Sequence, residues 1–85
     1  MAESTTREQV FSVVKENVTG ILDELDEALI VESAALKDLG ANSLDRAEIV
    51  TGSMEVLGLA FPMRELAGVG NIGALVSFLY SKANG

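Results

Sequence analysis

Asn42-Ser43-Leu44-Asp45-Arg46-Ala47-Glu48-Ile49-Val50-Thr51-Gly52-Ser53-Met54-Glu55-Val56-Leu57-Gly58 reads as a helix with both ends marked. Asn42 or Ser43 can accept a hydrogen bond from the free N–H groups of a first turn, and Gly58 suits the left-handed residue that closes a last one. At 100° per residue, Ala47, Val50, Met54 and Leu57 fall in one narrow stripe, the expected core face. Asp45, Glu48 and Glu55 gather on another face beside Leu44 and Thr51, which gives an acidic strip with the ordinary look of a solvated surface. Gly52 departs from the pattern. It costs a helix about 1 kcal/mol relative to Ala, and nothing in the sequence accounts for it.

Toward the N-terminus, residues 21–40 hold six acids, Asp23, Glu24, Asp26, Glu27, Glu32 and Asp38. They alternate with Leu25, Leu29, Ile30, Val31 and Leu36, as in a long connection pinned to a core by its aliphatic side chains. A calcium loop would need regularly spaced oxygen ligands around a central Gly, and that spacing is missing. Before this segment, Thr5 and Glu8 form a candidate capping box, and Val10, Phe11, Val14, Val18, Ile21 and Leu22 recur at helical spacing. The spacing predicts a helix over 7–19 that stops near Gly20.

Toward the C-terminus, Pro62 suits the start of a short helical turn over 63–67. Asn71 caps a last helix predicted over 72–81, with Ile72, Leu75, Val76 and Leu79 as its buried stripe, and the tail from Ser81 to Gly85 is expected to fray. No alternating apolar run and no Asn-Gly or Asp-Gly hairpin signal is present. The expected fold is all-α: a small four-helix bundle of three longer helices and one short one, forming a single domain over 1–85.

Composition narrows the function. The chain has 85 residues, 48% of them hydrophobic, with 13 acids against 6 bases and no His or Cys. No imidazole base, thiolate nucleophile, disulfide or ordinary zinc site can be built, so no catalytic residue and no metal ligand set is expected. A net charge of −7 repels nucleic acid and anionic membrane and favours basic partners. The longest apolar-rich stretch, 72–80, is too short to span a bilayer, and a cytoplasmic protein is expected.

Ser, Thr, Asp, Glu, Lys and Tyr are the reactive side chains that remain, and none comes with a base to activate it. Such a chain is acted upon, or binds. Ser43 stands out because it follows Gly40-Ala41 and opens a helix, where free N–H groups favour an anion joined to its hydroxyl. The plainer reading is that Ser43 or Asn42 merely caps the helix.

Asp38-Leu39-Gly40-Ala41-Asn42-Ser43-Leu44-Asp45, with Glu48-Ile49-Val50 following and Pro62 nineteen residues after the serine, closely resembles the acyl carrier proteins. Size, acidity and helix order extend the resemblance from the first helix to Leu79. It implies that Ser43 carries 4'-phosphopantetheine, transferred from coenzyme A by a Mg²⁺-dependent phosphopantetheinyl transferase that supplies the base and the metal. It also implies that Asn42, Leu44, Asp45, Arg46, Glu48 and Glu55 lie in the partner-docking region, where exposed ion pairs worth about 0 to 1 kcal/mol each give weak, reversible contact.

Two features depart from the family pattern. Asn42 stands where Asp is usual before the modified serine, and Met63-Arg64-Glu65-Leu66 is nearly neutral where acids are usual. With Arg46 beside the docking face, they suggest a specialised set of partners. Asn42 to Val50, Met54-Glu55-Val56-Leu57 and Asn71-Ile72-Gly73-Ala74-Leu75 further resemble the donor carrier proteins of polyketide β-branching cassettes. That resemblance implies a free-standing monomer served by a malonyl acyltransferase, a decarboxylating ketosynthase and an HMG-synthase-like enzyme that takes acetyl from the arm. The alternatives are a general fatty-acid or polyketide carrier and, from another class, an acidic helical adaptor without a prosthetic group.

Overall fold

Thr6, not Thr5, opens the first helix. Its hydroxyl accepts from the Gln9 N–H at 3.1 Å, and the Gln9 side chain accepts from the Thr6 N–H at 2.8 Å. The capping box expected at Thr5 and Glu8 thus forms one residue later, with Gln in place of Glu. The computed structural model describes residues 5–84. It gives α1 (Arg7–Ile21), α2 (Ser43–Leu57) and α3 (Ile72–Asn84), with 3-10 turns at Glu27–Leu29, Leu36–Leu39 and Met63–Leu66. All of its regular structure is helical, with no strand among the described residues.

Three helix bounds differ from expectation. The first helix passes through Gly20 to Ile21 and ends where the Leu22 N–H reaches the Val18 carbonyl at 2.7 Å, so 7–19 was too short. The short element is a 3-10 turn over Met63–Leu66 and not a helix over 63–67. The last helix continues past 81 through Asn84, whose side-chain amide donates to the carbonyls of Thr5, at 2.8 Å, and Tyr80. Residues 81–84, expected to fray, are therefore helical; Gly85 lies outside the described residues.

The core follows the α1 and α3 stripes. Val10, Val14, Val18, Ile72, Leu75, Val76 and Leu79 are buried, together with Ile30, Leu36 and Ala41 from the connection. Leu29 and Val31, expected to pin that connection, are instead about half exposed. The inward face of α2 is rotated from the expected stripe: Ile49, Val50, Ser53 and Met54 are buried, while Ala47 and Leu57 are only half-buried. Buried Ser53 is satisfied by donating to the Ile49 carbonyl at 2.8 Å.

The rotation goes with a close approach of α1 at Gly52. A Cβ at this position would lie 3.1 Å from Cγ of Asn17 in α1 and closer still to its Oδ1. The Asn17 amide is itself held, donating to the Val13 carbonyl at 2.9 Å. Gly52 therefore marks where α1 meets α2, and Ile49 and Ser53 are buried on the same seam.

Helix α1 contacts both α2 and α3, whereas α2 and α3 make few contacts with each other. The Arg7 guanidinium fastens the far side, donating to Glu32 Oε2 at 2.6 Å, the Gly73 carbonyl at 3.1 Å and Ser77 Oγ at 2.9 Å. That hydrogen bond holds the Glu32 carboxyl below its ordinary value, and the pairing raises Arg7. Between α2 and α3 the third turn is fastened to α3 by Lys82, which pairs with Glu65 at 2.8 Å. The same ammonium lies 5.5 Å and 5.4 Å from the ring centres of Phe61 and Phe78.

Candidate functional site

Ser43 is placed by the three residues before it. Gly40 closes the second 3-10 turn at φ 100°, a left-handed conformation in which its N–H reaches the carbonyls of Leu36 and Lys37. Ala41 is then buried, which anchors the chain, and Asn42 is extended. The Asn42 side chain accepts from the Asp45 N–H at 2.7 Å, and the Asp45 carboxylate accepts from the Asn42 N–H at 3.2 Å. Asn42 and Asp45 form the cap. The Ser43 hydroxyl is released from that role and stands exposed on the first turn of α2.

Among the described residues the one side chain that meets this hydroxyl is Arg46, whose Nη2 is 3.4 Å from Ser43 Oγ. Its Nη1 is 3.5 Å from the Ala41 carbonyl, at the outer edge of hydrogen bonding. Arg46, expected beside the docking strip, thus turns toward Ser43. Ser43 and Arg46 line a cleft of about 480 Å³ in the gap between α2 and α3. Leu36, Ala47, Val50, Leu66, Val69 and Leu75 give it apolar walls, and its charged lining residues are two cations, Lys37 and Arg46. Ala47 is therefore a cleft wall more than a core residue.

A free hydroxyl at a helix start, beside a guanidinium and an apolar cleft, fits a phosphate-linked arm: the N–H groups and Arg46 suit the anion, and the cleft suits an acyl chain. On the other side of α2, Glu48, Thr51, Gly52, Glu55 and Ala47 line a shallow depression of about 300 Å³. Leu44, 67% exposed, and Val56, 66% exposed, stand on the same helix as bare apolar side chains. The structure brings Glu48 and Glu55 together, while Asp45 is half-buried and tied into the cap. Val56 was not singled out from sequence as a site residue; an apolar side chain off the expected core stripe is its one visible signal.

Residues 12–79 match the family described as phosphopantetheine attachment site. The chain belongs to the acyl carrier proteins. It is 43% identical over 76 residues to the polyketide biosynthesis acyl-carrier-protein AcpK of Bacillus subtilis (strain 168), covering 89% of this chain and 93% of that one. It is also 33% identical to an acyl carrier protein of Thermotoga maritima over 91% of this chain and 95% of the other. Among solved structures it resembles a chain in the crystal structure of the curacin biosynthetic pathway HMG synthase in complex with acetyl donor-ACP. There the TM-score is 0.84 and identity 38%, covering 92% of this chain and all of that one. The prosthetic group of this acyl carrier protein is covalently bound 4'-phosphopantetheine, whose terminal thiol bears acyl groups as thioesters. The adaptor without a prosthetic group is thereby set aside.

No group of three or more acids suited to a metal ion occurs among the described residues. No helix described here is long and apolar enough to cross a membrane.

Proposed function

We propose that Ser43 is the attachment residue and that the carrier donates acetyl to an HMG-synthase-like enzyme in polyketide β-branching. The observation that carries the first part is the Asn42 cap, which leaves the Ser43 hydroxyl exposed and unused by the helix. A phosphopantetheinyl transferase directs that hydroxyl onto the pyrophosphate of coenzyme A: a new O–P bond forms, and the nucleotide bisphosphate leaves. The likeness to a chain crystallised with an HMG synthase as acetyl donor supports the second part. On this reading the chain is a single, monomeric carrier domain in the cytoplasm. It is loaded by a malonyl acyltransferase and trimmed to acetyl by a decarboxylating ketosynthase.

The carrier itself is non-catalytic, because a chain without His or Cys holds no strong base or nucleophile at pH 7. Leu44, Glu48 and Glu55, with Asn42, Asp45 and Arg46 at the end of the strip, form the surface on which successive enzymes dock. Intact mass after incubation with coenzyme A and a broad-specificity phosphopantetheinyl transferase tests the attachment. Wild-type protein is expected to gain one arm and Ser43→Ala none; equal gain by both removes Ser43 from the proposal. For the donor role, an HMG-synthase-like enzyme is expected to consume the acetyl form and to ignore an acetylated fatty-acid carrier. Equal use of both favours a general carrier.

A further inference from the structure

Three of the six cations in this acidic chain are committed to carboxylates: Arg7 to Glu32 at 2.6 Å, Lys82 to Glu65 at 2.8 Å and Lys15 to Glu27 at 3.8 Å. Lys37, Arg46 and Arg64 have no carboxylate within ion-pairing distance among the described residues. Two of these three, Lys37 and Arg46, line the cleft that opens at Ser43, and no acid lines it. Arg46 is also half-buried. Its two contacts, at 3.4 Å and 3.5 Å, go to an uncharged hydroxyl and an uncharged carbonyl. A guanidinium carries five N–H donors and pairs best with a phosphate or carboxylate, so this one is left without the anion its chemistry suits.

The geometry points to Arg46 as the residue that holds the root of the arm: its guanidinium pairs with the phosphodiester at Ser43 and directs the arm into the α2–α3 cleft, away from the acidic face of α2. This inference rests on the attachment at Ser43. A group joined to Oγ lies within the reach that Arg46 already has to that oxygen. Glu48 and Glu55 on the opposite side repel the same anion, so the arm has one electrostatically favoured exit. Arg46 is a positioning residue. Lys37, a flexible point charge in the same lining, adds to the field without fixing direction.

The test compares wild-type, Arg46→Met, Arg46→Gln and Arg46→Lys carriers loaded with the arm, with Arg64→Met as a cation control outside the cleft. Intact mass confirms loading at Ser43, and circular dichroism of the unloaded proteins checks helicity. Arg46→Gln keeps a donor for the Ala41 carbonyl, so it reports even if Arg46→Met loses part of the helix start. In wild-type protein and Arg64→Met, the phosphorus NMR resonance is expected to be displaced from that of free phosphopantetheine in a phosphodiester, and to move back as salt screens the pair. Arg46→Met and Arg46→Gln are expected to abolish that displacement and its salt response, and Arg46→Lys to restore part of it. Methyl shifts at Leu66 and Leu75 on loading are expected to shrink about two- to fivefold without the guanidinium, the range for a partly exposed ion pair. An unchanged phosphorus resonance in loaded Arg46→Met and Arg46→Gln overturns the inference alone. A wild-type chain that accepts no arm overturns the attachment at Ser43, and this inference with it.

Discussion

Helix α2 has two seams of opposite character. Against α1 it is closed: Gly52 removes a side chain so that the Asn17 amide can lie against the helix, and Ile49 and Ser53 are fully buried beside it. Toward α3 it is open: the helices barely touch, and half-buried Ala47, Leu66 and Val69 line a cleft of about 480 Å³. The difference separates two tasks. The α1 seam supplies the packing that keeps a small domain folded, and the α3 seam supplies room beside Ser43, the proposed attachment residue.

The strongest way to break this contrast is to cut equivalent apolar groups from each side. Ile49→Ala is expected to lower stability by about 2–5 kcal/mol, as for other fully buried aliphatic truncations. Leu66→Ala, on the open seam, is expected to lose less, about 1–2 kcal/mol, because Leu66 is only partly withdrawn from water and has less burial to give up. Urea denaturation measures both; comparable losses would mean that the cleft is core by another name.

Gly52 gives the next largest effect. In an unobstructed helix Gly→Ala adds about 1 kcal/mol of stability, whereas overpacking against a fixed neighbour costs about 1–3 kcal/mol. Gly52→Ala is therefore expected to be net destabilising in wild-type protein. In an Asn17→Ala background, with the amide removed, the same substitution is expected to change sign. A stabilising Gly52→Ala in wild-type protein would show that the seam is not closed there.

The Arg7 clamp predicts a smaller, pH-dependent effect. The Glu32 carboxyl titrates below the free value of 4.5, chiefly through its hydrogen bond from Arg7. Its contribution is therefore complete above that value and is lost as pH falls through the lower folded value. Glu32→Gln is expected to flatten this acid limb of the stability profile without altering stability trends above pH 6, as followed by thermal melts. The smallest structural effect belongs to Glu48→Lys, expected to change stability by less than about 0.5 kcal/mol while slowing modification or acyl transfer. Loss of helicity in that variant would turn the docking strip into a structural element.

Much of this was legible in residues 42–58 and 72–79. The cap and closing Gly of α2 and the stripe of α3 are local signals, and the molecule uses them. The first cap was displaced because Thr5 and Thr6 offer the same chemistry one residue apart, and only the backbone decides between them. The rotation of α2 was not legible, because a helical wheel shows which residues share a face but not which neighbour that face meets. Gly52 needed the position of Asn17, 35 residues earlier in the chain, and the choice between Asn42 and Ser43 as cap needed the direction of two side chains. Arg46 reads as one more surface charge until its contact with Ser43 is seen.

The division of labour between adjacent residues at the start of α2 has a consequence for the working cycle. Because the helix end is sealed by Asn42 and Asp45, the cap hydrogen bonds do not involve the Ser43 oxygen, and the attachment proposed there leaves the cap whole. The helix start is thus insulated from the freight proposed for it: joining an arm at Ser43 would change what the helix carries and leave its cap as it is.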